Sequence, residues 1–171
     1  MASKKKITRI MPIPSISKVY ILSSTRSPVA NSVDGVVTAF DFATLSPVFC
    51  NINVTGILDM GVNYAEEDGV LKMWVLVKKA IHFFVYSQGQ FNEYQTIALN
   101  DTPLLMEWID DRLFLQYKDR LVEMRCTDRS ILSENRTAVK NAAQLCLKVL
   151  SNDALLFASS PNILISSHSA S

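Results

Sequence analysis

Between residues 70 and 125 the chain is a succession of short apolar runs: VLKMWVLV, KAIHFFVYS, QFNEYQTIAL, PLLMEWID, DRLFLQY and DRLVEMRC. Each run is rich in β-branched, aromatic and leucine residues, and several alternate apolar with polar positions, as half-buried antiparallel strands do. Only turn-length breaks separate them. This is the spacing of repeated meanders, the unit from which β-propeller blades are built, so the pattern predicts an all-β chain forming a partial β-propeller of about three to four blades.

The flanks carry the same signal more faintly. Strands are predicted over residues 18–23, 35–42 and 48–52, with a polar break at 24–34 and a turn at 43–47. VVTAFDF is only loosely interrupted by Thr38 and Asp41, which predicts a well-buried strand. A further strand over 55–63 ends near Gly61, and Glu66, Glu67, Asp68 and Gly69 make an acidic turn. Gly89 in Gln88-Gly89-Gln90 can supply the positive φ that a tight hairpin needs. Asp110-Asp111 and Lys118-Asp119 take the turn role in the next hairpins. After Cys126 the sequence turns polar through Arg136. Residues 138–150 fit two patterns: Val139, Ala142, Ala143, Cys146 and Leu150 mark a helical face, whereas Leu145, Leu147 and Val149 alternate as in a strand. Strand is expected because the neighbouring segments are strand-like. A last pair, 154–158 and 162–166, is split by Ser159-Ser160-Pro161. The expected organisation is a basic, poorly ordered segment over 1–17, a propeller portion over 18–166 and a frayed Ser-rich tail over 167–171.

Composition narrows the function classes. The 171 residues, 49% apolar and 19% charged, suit one folded domain, and the formal charge of +1 gives no global field toward nucleic acid or anionic lipid. Cys50, Cys126 and Cys146 are widely spaced and form no C-x-x-C pair, which argues against a disulfide framework or thiolate zinc site and suits a reducing compartment. Lys4, Lys5 and Lys6 resemble the basic region of a signal peptide, but Arg9, Pro12 and Pro14 interrupt what would be its apolar region, so none is expected. No apolar run approaches the roughly 18 residues of a membrane helix. Without an export signal, the sequons at Asn53, Asn100 and Asn135 are expected to be chance matches.

Candidate chemistry is sparse. A nucleophilic hydrolase needs a histidine near a serine or cysteine and an acid, and the chain has only His82 and His168. His82 sits mid-strand, where a solvent-facing or cross-strand role is expected rather than that of a base. Glu66-Glu67-Asp68 and Asp110-Asp111 are neighbours in turns, where carboxylates point apart and stay solvated. There is no His/Cys cluster for a metal, and neither G-x-G-x-x-G nor a Walker pattern for a phosphate. No enzyme activity and no cofactor are expected. Lys78 and Lys79 are the candidate partner-binding residues, against the plainer reading of a hairpin turn kept soluble by charge. Lys4–Lys6 are expected as a solvated tail rather than a lipid contact. Trp74 and Trp108, each inside an apolar strand, are expected in the core.

From residue 70 to residue 124 the order of residues resembles the citron-homology (CNH) domain. LKMWVLVKKAIHFFVY, a spacer with Gly89 and Phe91, and ALNDTPLLMEWIDDRLFLQYKDRLVEM carry the likeness. The family's phrase of acidic residue, proline, strand with Trp, acidic turn, strand, turn and strand maps onto Asp101, Pro103, Trp108, Asp110, Leu113 and Leu121. Gln116 stands where many relatives have glycine. KVYILSS through DGVVTAFDFATLSPV resembles the preceding blade of the version found in a homotypic-fusion-and-vacuole-sorting tethering subunit. The resemblance implies a non-enzymatic interaction module, cytosolic and peripheral to late-endosomal or vacuolar membranes, whose partners are a Rab-family small GTPase and other tethering subunits. Alternatives are a regulatory CNH domain of a signalling kinase or Rho exchange factor, or a small β-rich enzyme or ligand-binding barrel. A blade takes about 40–45 residues, so part of a ring is expected rather than a closed one.

Overall fold

The computed structural model describes residues 5–27, 32–136, 145–151, 154–159 and 162–167. They form four antiparallel meander sheets. Sheet 1 comprises β1 (Lys5–Ile13), β2 (Lys18–Ser27), β3 (Ser32–Asp41) and β4 (Pro47–Val48) in sequential order. Sheet 2 has β5 (Asp59–Ala65), β6 (Val70–Val77), β7 (Ala80–Ser87) and β8 (Gln90–Ala98); sheet 3 has β9 (Leu105–Ile109), β10 (Arg112–Gln116), β11 (Arg120–Arg125) and β12 (Ile131–Arg136). Sheet 4 has β13 (Leu145–Ser151), β14 (Ala154–Ser159) and β15 (Asn162–Ser167). The chain divides into two compact units, residues 1–100 with sheets 1 and 2, and residues 101–171 with sheets 3 and 4. Within the first unit β1 lies against β5, and within the second β9 lies against β13, so the leading strands of consecutive sheets are neighbours. That is the blade-to-blade relation of a propeller.

The core of the first unit follows from strand alternation. Tyr20 and Leu22 on β2, and Val37 and Ala39 on β3, point to one face of sheet 1. They meet Val62, Leu71, Met73, Val75 and Phe84 of sheet 2. Residues 71 and 73–76 of β6 are all buried, as are Leu113 to Gln116 of β10, because these strands are covered on both faces. Hence they show continuous apolar runs instead of alternation.

Several expectations change. Residues 5–13, expected to be poorly ordered, form β1 and pair with β2 from Lys5↔Thr25 to Ile13↔Lys18. Pro12 is compatible with this strand because β1 ends the sheet order, and an edge strand can spare an N–H. The expected break at 24–34 shrinks, since β2 runs on to Ser27 and β3 begins at Ser32. The strands expected at 48–52 and 55–63 are replaced by a two-residue β4, a connector and β5 at Asp59–Ala65. Ile52, Val54 and Ile57 pack on the core from that connector, so their apolar pattern imitates a strand without a ladder. The polar stretch after Cys126 yields β12, whose mostly exposed residues need no apolar face to pair with β11. Leu145–Ser151 is a strand, as the alternating reading holds, whereas residues 138–144 of that segment lie outside the described residues, as do 168–171 of the expected tail.

Candidate docking surface

One end of the first unit collects four connections: the 3-10 turn Pro14–Ile16 between β1 and β2, the β3–β4 turn, the β5–β6 turn and the β7–β8 turn. Positive φ values bend the chain there, at Ser17 (53°), Leu45 (54°), Gly69 (63°), Gln88 (52°) and Gly89 (81°). Gln88 and Gly89 together match the type I′ geometry that a two-residue hairpin favours. The connections are tied to one another. Phe42 N–H donates to the Ser17 carbonyl at 2.8 Å, and Ser15 Oγ donates to Glu66 Oε1 at 2.6 Å.

Between sheets 1 and 2 at this end lies a cleft of about 250 Å3, lined by Ile16, Lys18, Tyr20, Val48, Phe49, Tyr64, Gly69, Leu71 and Tyr86. The strand registers explain the composition. Tyr64 pairs with Leu71 at the last turn of the β5–β6 hairpin, Lys18 and Tyr20 open β2, and Tyr86 closes β7. Phe91 backs the site, with its ring 5.9 Å from that of Tyr20 and 5.2 Å from that of Tyr86, both edge-on. At the rim, Phe49 is 71% exposed, and the neighbouring turn presents Phe42 (47%) and Leu45 (73%). A run of large apolar side chains left in water at loops is a feature of binding surfaces.

The charged and titratable groups around the cleft are paired or held by burial. Lys18 Nζ lies 3.1 Å from Asp41 Oδ2, which neutralises the cation lining the cleft. Asp41 also accepts from the N–H groups of Ala43 and Thr44, both at 3.0 Å, and its carboxyl is drawn down to about 2, first by the Lys18 bond and then by Thr44. Burial pushes the Tyr20 hydroxyl well above the usual phenol range, and the Cys50 thiol up to about 11. A thiol so disposed stays protonated and is a poor nucleophile. The turn joining Tyr64 to Gly69, both of which line the cleft, carries the exposed Glu66, Glu67 and Asp68.

Lys78 and Lys79 form the exposed two-residue turn between β6 and β7. Because β6 enters from the cleft side at Val70 and leaves at Val77, these lysines occupy the opposite end of sheet 2. The structure does not bring them to the cleft. His82 has the cross-strand partner expected of it: Nδ1 lies 2.9 Å from Glu93 Oε1 on β8. Trp74 is buried, 3% exposed, but Trp108 is only half-buried, and its indole N–H donates to the Asp110 carbonyl at 2.7 Å. An amphipathic ring at a strand end can keep its edge near water while its N–H closes a turn. The core assignment therefore holds for Trp74 and not for Trp108. Asp111 accepts from the Thr127 N–H at 2.9 Å and from its hydroxyl, so this carboxylate pins the β11–β12 corner. Buried Gln116 donates from Nε2 to the Arg120 carbonyl at 3.1 Å across the β10–β11 turn.

Sequence reasoning missed the cleft residues themselves. Tyr20, Tyr64 and Tyr86 are far apart in the chain, and only sheet register joins them. The available signal was aromatic residues at strand ends beside the turn residues already identified. Among the described residues, no group of three His, Cys, Asp or Glu is placed to hold a metal ion, and no helix is long and apolar enough to cross a membrane.

No protein-family model matches the sequence, and none of the curated proteins does. Among solved structures, the chain is similar to BBS1N, seen in complex with ARL6DN and soaked with lead, at a TM-score of 0.61 and 15% identity over 98% of this chain. The chain spans about half, 54%, of that structure's length. The extracellular domain of BT4673 from B. thetaiotaomicron aligns at 0.48 and 15% over 94% of this chain and 19% of its own. The dihydro-heme d1 dehydrogenase NirN aligns at 0.45 and 8% over 98% and 48%. At those scores neither of the last two bears on function. The meander sheets and the likeness to BBS1N establish the fold as a partial β-propeller.

Proposed function

We propose that this chain is a non-enzymatic docking platform for a small GTPase. The observation that carries the reading is its likeness, over nearly its whole length, to a propeller structure seen in complex with ARL6DN. The apolar, aromatic-rimmed cleft supports it, since rigid loops around a pre-formed hollow suit partner recognition better than bond-making. In its finer form the proposal takes up the citron-homology resemblance. The GTPase is of the Rab family, the platform works beside other tethering subunits, and its site of action is the surface of late endosomes or vacuoles. Preference for one nucleotide state would arise from differential affinity for the two conformations of the GTPase.

The test is a binding titration of the full chain against a panel of small GTPases, each loaded with a non-hydrolysable GTP analogue or with GDP. Saturable binding to at least one of them, stronger in the GTP form, is the expected result. Absence of binding across the panel in both states overturns the proposal.

A further inference from the structure

The cleft at the turn-bearing end of the first unit has a definite size, lining and charge at its mouth. A dry cavity of about 150 Å3 holds a benzene ring, and this cleft, at about 250 Å3, has room for one aromatic or leucine side chain with some neighbouring backbone. Its walls are Ile16, Val48, Leu71 and the tyrosine faces. Lys18, the one cation among the described lining residues, is already paired with Asp41. Three exposed carboxylates, Glu66, Glu67 and Asp68, are carried by the turn whose two ends, Tyr64 and Gly69, both line the hollow. Ser15, adjacent to the lining residue Ile16, holds Glu66 at 2.6 Å, which fixes one of these charges beside the opening. Phe49, at the rim, is largely in water.

We infer that the cleft receives an apolar anchor from a basic segment of a protein partner, a Trp, Phe or Leu flanked by Lys or Arg. The anchor fills the hollow between sheets 1 and 2, Phe49 folds over it, and the flanking cations meet the 66–68 turn. An acidic segment would place like charges together at the entrance, a cost of the kind that excludes wrong partners. The inference rests on the docking reading above and names the part of the partner that docks.

The experiment uses the full chain and three peptides labelled with fluorescein on the N-terminal amine: fluoresceinyl-Gly-Lys-Lys-Trp-Lys-Lys-Gly-amide, the same peptide with Ala for Trp, and the same with Glu for every Lys. Fluorescence anisotropy is expected to show saturable binding of the first alone. Phe49→Ala and the triple variant Glu66→Gln/Glu67→Gln/Asp68→Asn should each weaken it about ten-fold, as loss of an anchor contact or of complementary charge does. The triple variant should also abolish most of the salt dependence, which a merely structural role for the turn would not do. All four side chains are solvent-exposed, so unchanged melting temperatures confirm the fold of both variants. Equal binding of the Trp and Ala peptides, or binding indifferent to Phe49→Ala, overturns the assignment. A GTPase that binds the wild-type chain and both variants equally leaves the docking reading standing and removes the cleft from it.

Discussion

Asn51 holds Phe91 by both of its backbone groups. The Phe91 N–H donates to Asn51 Oδ1 at 2.9 Å, and Asn51 Nδ2 donates to the Phe91 carbonyl at 3.3 Å. A side-chain amide thereby imitates one rung of a β-ladder, and it fastens the connector from sheet 1 onto β8 beneath the cleft. Asn51→Ala should cost about 1–3 kcal/mol, because it strands a backbone donor and acceptor at a buried residue. Asn51→Asp keeps the acceptor but turns a carboxylate oxygen toward the Phe91 carbonyl, so it should cost more than Asn51→Ala at neutral pH. Urea unfolding of the three proteins checks the order; equal midpoints would show that the pair carries no stability.

Two glycines are set by close packing. A Cβ at Gly61 would stand well inside contact distance of Cε2 and Nε1 of the Trp74 indole, and one at Gly35 would collide with the Ile57 carbonyl. Gly61→Ala should destabilise by about 1–3 kcal/mol, the usual range for overpacking a filled core, and should shift the Trp74 emission. Gly56 is the control: it has a φ of +70° but open space around it, so Gly56→Ala carries only backbone strain, about 1 kcal/mol. If thermal melts place Gly61→Ala above Gly56→Ala, the packing argument fails.

These contacts mark the boundary of what the sequence discloses. Strands β6, β7, β8, β10 and β11 are legible because their period-2 or continuous apolar patterns and their turn residues are local. Gly89 was identifiable for the same reason, since a tight hairpin demands positive φ at that point. Edge strands were not: β1 and β12 bury little, so selection of apolar residues is weak there, and lysines and prolines disguise β1. The connector 49–58 misleads in the other direction, as Ile57 is buried and Ile52 and Val54 are partly buried against the core without strand geometry. The cleft was illegible for a further reason. It is made by register, with Tyr64 opposite Leu71 and Tyr20 facing Phe91, and no local pattern encodes which strand ends meet.

Asp41 predicts a pH dependence. Its carboxyl is depressed to about 2, chiefly by Lys18 and then by the turn N–H of Thr44. A carboxylate depressed in the folded state contributes stability above its unfolded value, near 3.9, that is lost as pH falls through the folded one. The melting-temperature difference between wild type and Asp41→Ala should therefore be full at pH 5 and above, shrink between pH 4 and 2, and be nearly absent at pH 2. The group is partly exposed, so the effect is small and should diminish in high salt. A difference that stays constant from pH 7 to pH 2 would assign the effect to the neutral hydrogen bonds of the turn instead.

Arg9 and Asp59 give the opposite sign. Arg9 on β1 meets Asp59 on β5 in a two-pronged pair, Nε to Oδ1 at 2.8 Å and Nη2 to Oδ2 at 3.0 Å, with its guanidinium 5.7 Å from the Trp74 ring. Burial raises the Asp59 carboxyl above the ordinary range even though Arg9 and the Met60 N–H pull it down. A carboxyl raised in the folded state binds its proton more tightly there, so stability falls as pH rises through the folded value. Arg9→Met removes the main opposing charge and leaves Asp59 to its burial, which steepens that fall. The variant should lose about 3 kcal/mol at pH 8, in the range for breaking one half of a buried pair, and less at pH 4, where a protonated Asp59 needs no cation. Adding Asp59→Asn to Arg9→Met should recover part of the loss at pH 8 and little at pH 4. Urea midpoints at both pH values decide the matter: a loss independent of pH, or no recovery in the double variant, would mean that Arg9 acts through packing on Trp74 and not through the carboxylate.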